Sequence, residues 1–226
     1  MKLKKEYTAT LGLLLITVWS AVQYIFLQNV PDSVSTFSFL FVTYLVGFLI
    51  LQFKKLRKIN KKVLLKGMLL SGEVIGFNFF LVIGSKGVDS VIVSSLVSMY
   101  FVFVTPLLLL LKKKVSFRSA VASAVAIIAL ILMLNADISL FFKSVNAIFL
   151  IIADIFFATY VISISIVGKK EDAAVLTLSQ LIFSVLFSFC GWAVEVAIGK
   201  GSFSFPTDKM FWLTVLFFGV FIRALY

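Results

Sequence analysis

Apolar stretches of about 20 residues recur eight times along the chain. They fall at about 8–28, 34–53, 63–85, 88–111, 119–135, 145–168 and 173–198, with a last one beginning near 210. A bilayer core needs about 20 apolar residues per crossing helix. Only helices and closed barrels satisfy their own backbone hydrogen bonds in lipid. The apolar–polar alternation of barrel strands is absent from these stretches. The pattern therefore predicts an all-α, polytopic transmembrane helix bundle with about eight spans.

Composition removes the main alternatives. Hydrophobic residues make up 62% of the 226 residues and charged ones 14%, against about 45–50% and 25% in soluble domains. A soluble enzyme of this make-up would expose too much apolar surface. The chain has no His and one Cys, which removes the usual general base and the commonest metal ligand. No metal, no cofactor and no enzymatic chemistry are expected. The connections are too short for a soluble domain, so the function must lie within the bundle.

The net charge of +11 sits in short runs between spans, which argues for loops beside a membrane and against nucleic acid. Sixteen Lys and Arg fall on one side of the alternating spans: Lys2, Lys4, Lys5, Lys54, Lys55, Arg57, Lys58, Lys61, Lys62, Lys66, Lys112, Lys113, Lys114, Arg118, Lys169 and Lys170. Four fall on the other: Lys86, Lys143, Lys200 and Lys209. Positive loops stay cytoplasmic, so the N-terminus is expected inside and the chain in the cell (plasma) membrane. The first span reads as a retained helix, too long for a cleaved signal.

Ionisable residues in mid-span are costly and point to function. Glu73 lies halfway along the third span and Asp154 in the first half of the sixth. Each is a candidate proton carrier or counter-charge, or else a carboxyl that locks packing. Arg223 lies within the eighth span. It either faces an aqueous cavity, pairs with an acid such as Glu73, or snorkels to the interface. Trp19, with Gln23 and Tyr24 nearby, is a candidate cavity wall, and Asn78 completes the set of substrate- or proton-binding candidates. Lys66 is expected to snorkel, Glu195 to be interfacial and Cys190 to fill core. Gly72 with Gly76, the serines 94, 95 and 98, and the small residues of the fifth span from Ser119 to Ala126 read as packing seams. Pro106 is expected to kink the fourth span.

The second half echoes the first. Residues 17–21 can be laid against 155–159, and 69–73 against 216–220. The offset is five spans, and an odd offset inverts the second copy. Val18-Trp19-Ser20, Gly72 with its Phe/Asn-rich sequel, and Val93-Ser94-Ser95-Leu96 through Thr105-Pro106-Leu107 to Lys112-Lys113-Lys114-Val115-Ser116 carry the pattern further. So do Ala158-Thr159-Tyr160-Val161 and Gly219-Val220-Phe221. On these motifs the chain resembles the EamA family of the drug/metabolite transporter superfamily. The family often has Glu where Lys113 stands, and Arg in the second span, where this chain reads Phe41-Val42-Thr43-Tyr44.

The resemblance implies two inverted five-helix repeats, here 1–138 and an incomplete 139–226. It further implies a secondary transporter of small metabolites or drugs by alternating access, with proton coupling in many members. The lipid bilayer and a small-molecule substrate are the expected partners. Homo-oligomerisation or a partner subunit is the further expectation. The alternative is a truncated, non-transporting membrane protein or assembly partner, because the chain stops within the eighth span.

Overall fold

The computed structural model describes residues 18–51, 59–113, 115, 117–133, 145–202 and 205–224. Lys2, Lys4, Lys5 and the 54–58 connection lie outside them, as do the side chains of Ser119 and Ala126. Among the described residues there is no strand, and the apolar stretches are helices. They are α1 (Val18–Leu27), α2 (Thr36–Leu51), α3 (Lys61–Ser85), α4 (Ser90–Val97), α5 (Tyr100–Leu110), α6 (Phe117–Met133), α7 (Val145–Val167), α8 (Ala173–Ala197) and α9 (Lys209–Phe217). A π-helical segment, Phe218–Ala224, continues α9. Four stretches are long and apolar enough to cross a membrane: Lys61–Ser85, Ser90–Leu110, Val145–Val167 and Ala173–Ala197.

The helix starts follow from local chemistry. Four orphan N–H groups open every helix, and a short polar side chain satisfies them best. Asn60 accepts from Val63 N, Asp89 from Val91 N, Asp172 from Ala174 and Val175 N, and Asp208 from Met210 and Phe211 N. The α3–α4 turn passes through Gly87 at φ +70°, a conformation with no steric penalty only for glycine.

The fourth stretch breaks at Ser98–Met99 into α4 and α5, while Pro106 sits inside α5. The expected kink is thus displaced. Ser94 and Ser95 Oγ donate to Val91 O, and Ser98 Oγ to Ser94 O. Such back-bonding competes with the helical ladder and bends helices.

Contact ladders set the helix directions. Asn146 meets Lys86, Phe157 meets Phe77 and Ser163 meets Glu73, so α7 runs antiparallel to α3. Val63 and Ser71 meet Ser179 and Ser184, so α8 runs parallel to α3. Phe41 meets Phe189 and Phe37 N donates to Glu195, so α2 is antiparallel to α8. Phe39 and Gly47 meet Phe211 and Arg223, so α9 is parallel to α2. Trp19 and Phe26 meet Phe221 and Phe217, so α1 opposes α9. Odd-numbered apolar stretches run one way and even-numbered ones the other wherever these ladders reach.

Polar side chains are packed into the interior while many large apolar ones face outward. Thr43, Ser71, Ser179, Ser184, Ser188 and Thr214 are fully buried, while Leu110, Phe117, Leu65 and Val91 are exposed. Between helices in lipid, association comes from close packing and polar contacts, since lipid tails are as apolar as Leu. The α3–α8 seam follows that rule. A Cβ on Gly67 would overlap the backbone of Ser179, and Ser71 Oγ lies 3.0 Å from Ser184 Oγ. The expected Gly72–Gly76 seam is half present. Gly76 packs on the Phe156 ring, whereas Gly72 has no atom within 4 Å of the position a Cβ would take. In the fifth span Ser123 is buried and its Oγ lies 2.9 Å from Thr105 Oγ. Cys190 lies on the exposed side of α8, not in the core.

Candidate functional site

Three helices meet at one polar centre. The Arg223 Nη2 donates to Asn78 Oδ1 at 2.9 Å. Asn78 Nδ2 in turn donates to Tyr44 Oη at 3.1 Å and to Val74 O at 2.7 Å. The guanidinium carbon lies 4.3 Å from the centroid of the Tyr44 ring and 5.7 Å from that of Phe218. Arg223, Asn78 and Tyr44 are all buried. Close backbone approach makes this possible: a Cβ on Gly47 would stand 2.5 Å from Arg223 Cβ.

Arg223 is therefore neither snorkelling nor paired with Glu73. Among the described residues its neighbours are a neutral amide and two aromatic faces, and its Nε is buried with no hydrogen-bond partner. A desolvated cation over an aromatic face gains about 2 kcal/mol. Burial of an ion costs several kcal/mol even after relaxation. The aromatic faces alone leave that cost partly unmet. On the side of α7 and α8, Tyr160 Oη donates to Gln180 Oε1 at 3.3 Å.

Of the two mid-span carboxylates, Glu73 sits on the α3–α7 seam and Asp154 is buried on α7. Glu73 Oε1 accepts from Ser163 Oγ at 2.6 Å, while its Oε2 is buried without a partner. Asp154 is 2% exposed, and its Oδ1 has no hydrogen-bond partner. The antiparallel α3–α7 ladder sets Asp154 within about one turn of the depth of Asn78. The other described acids are spoken for. Asp89, Asp172 and Asp208 cap helices, Glu171 pairs with Lys66 at 2.6 Å, Asp32 lies 3.5 Å from Lys86, and Glu195 accepts from Phe37 N. Lys66 is thus tied to Glu171 in addition to reaching the helix end.

Trp19 is half-buried, with its ring edge-on to Phe221 at 4.9 Å, two residues before Arg223. Gln23 and Tyr24 are buried beside it on α1. Of the five sequence candidates, Asn78 and Arg223 touch, Trp19 braces the segment that carries Arg223, Glu73 lies apart on the α3–α7 seam, and Asp154 is buried on α7 with no contact to the other four among the described residues. Tyr44, Ser163, Tyr160 and Gln180 escaped the sequence reading. Their signal was present, since each is a hydrogen-bonding side chain within an otherwise apolar run. No group of His, Cys, Asp and Glu that could hold a metal occurs among the described residues.

A cavity of about 440 Å³ opens near the C-terminal end of α3, lined by Leu27, Gln28, Asp32, Val82, Lys86 and Asp89 among others. Val82 is one helical turn from Asn78. No protein-family model, no curated protein and no solved structure matches the chain.

Proposed function

We propose that this protein is a secondary transporter that carries a small molecule across the cell membrane by alternating access. On the resemblance to the EamA family its two halves are inverted repeats, and the bias of Lys and Arg between alternate connections argues for a cytoplasmic N-terminus. The observation that carries the reading is a pairwise correspondence of contacts. Exchange α1, α2 and α3 with α7, α8 and α9. The α3–α7 contact then becomes α9–α1, the α3–α8 contact becomes α9–α2, and α2–α8 maps onto itself. The relative directions are preserved in each case.

Individual residues follow the exchange. Trp19 aligns with Phe157; the first meets Phe221 edge-on at 4.9 Å and the second meets Phe77 at a tilt at 4.6 Å. Phe221 thus corresponds to Phe77, three residues along from the register of the sequence alignment, which set it against Val74. Two halves related in this way support a binding site at their interface near the midplane. The Tyr44–Asn78–Arg223 centre joins one half to the other there. Glu73 and Asp154 are the groups proposed to exchange protons.

The test is uptake by purified protein in liposomes. A panel of labelled metabolites is offered with and without an imposed proton gradient. Uptake above empty liposomes, with loss of its gradient dependence in Glu73→Gln or Asp154→Asn, supports the reading. A folded protein that moves none of the panel, and that leaves the membrane only in fixed stoichiometry with another chain, would show an assembly partner instead.

A further inference from the structure

We propose that Arg223 is a binding group for an oxyanion, either the carboxylate or the phosphate of a small ligand, in the centre of the bundle. The proposal rests on the carrier reading above and names the substrate class for that same site. Arg223 lies 14 residues after the start of α9 at Lys209, about 20 Å along a helix, and therefore deep in the bilayer. It is 8% exposed. A guanidinium is charged at any physiological pH and presents five N–H donors in a planar fork. Here one nitrogen donates to Asn78 and Nε faces no acceptor. Its described contacts are neutral: Asn78, the Tyr44 ring and the Phe218 ring.

A lone buried cation is costly unless an anion joins it. Carboxylate and phosphate match the fork bidentately. The three neighbours suit such a ligand. The Asn78 amide orients one arm of the fork, and the Tyr44 hydroxyl, which now accepts from Asn78, keeps a proton to donate. The π-helical turn that carries Arg223 belongs to a class of local distortion concentrated at functional sites. The cavity that includes Val82 begins one turn along the same face of α3, about 6 Å away by helical rise.

The experiment is thermal unfolding of the purified full chain in lipid nanodiscs. Sodium succinate, sodium phosphate and neutral succinamide are compared with sodium chloride at equal ionic strength. Succinate, phosphate or both should raise Tm by about 3–5 °C at ten times Kd, and succinamide should not. Response to succinate alone identifies a carboxylate site, and response to phosphate alone a phosphate site. Arg223→Lys should weaken binding about tenfold or more through loss of the fork. Arg223→Gln should abolish it. Wild-type protein that answers neither anion overturns the proposal without recourse to any variant. So does an unchanged response in folded Arg223→Gln. Uptake in liposomes separates the two readings. Arg223-dependent anion binding without uptake removes the carrier and keeps the site. Uptake of a neutral or cationic compound that is indifferent to both anions and survives Arg223→Gln keeps the carrier and removes the site.

Discussion

Ser163 Oγ donates to Glu73 Oε1 across the α3–α7 seam at 2.6 Å, while Glu73 Oε2 lies buried without a partner. A half-satisfied buried group makes the remaining bond asymmetric in its effect. Removing one partner strands the other, whereas removing both is nearly neutral. Ser163→Ala should therefore cost about 1–3 kcal/mol. The double variant Ser163→Ala with Glu73→Leu should recover most of it. Thermal or denaturant unfolding in nanodiscs reads the cycle, and additive losses would rule out the coupling.

Two helical glycines should respond in opposite ways. Gly47→Ala places a methyl 2.5 Å from Arg223 Cβ and 3.1 Å from Gly219 O. The backbone there cannot yield cheaply, so a loss of about 1–3 kcal/mol is expected. Gly72→Ala meets open space and should gain up to about 1 kcal/mol from helix propensity. A Gly47→Ala variant as stable as wild type would show that α2 and the π segment are not in close contact.

Orientation is testable with the single native thiol removed. In a Cys190→Ser background, Lys169→Cys and Lys200→Cys place thiols at exposed positions beyond the two ends of α8. A membrane-impermeant maleimide added to whole cells should label the second and spare the first until the membrane is opened. The reverse pattern would invert the assigned topology.

The Lys66–Glu171 pair at 2.6 Å ties the start of α3 to the α7–α8 connection, with side chains 33% and 21% exposed. Solvent screening keeps such a pair at about 1 kcal/mol or less. Lys66→Met should accordingly shift Tm little. A loss well above that, rescued by Lys66→Arg, would reveal a stronger role for the charge at this helix junction.

The helices were legible because a bilayer imposes one length and one polarity on every span. The reading placed the sixth span at about 145–168 and the helix is Val145–Val167; it placed the seventh at about 173–198 and the helix is Ala173–Ala197. Asn78 and Arg223 were legible as polar groups in apolar runs, but their pairing was not. Hydropathy carries no information on the angle at which a helix faces its neighbours. For the same reason Gly72 and Gly76 looked alike in sequence, whereas Gly67 and Ser71, at the same four-residue spacing, form the actual seam with α8. The break at Ser98 was hidden by Pro106, the stronger local signal.

The parallel contact between α2 and α9 also has a consequence for biogenesis. Phe39, Leu40, Thr43 and Tyr44 on α2 reach full burial with help from Phe211, Phe218 and Arg223. Residues 52–208 are synthesised between the two helices, a delay of roughly 8–32 s at ribosomal speed. Through that interval the Thr43–Tyr44 face is without its last neighbour. The interior at α2 is therefore completed only once α9 and the π-helical segment that carries Arg223 have been made.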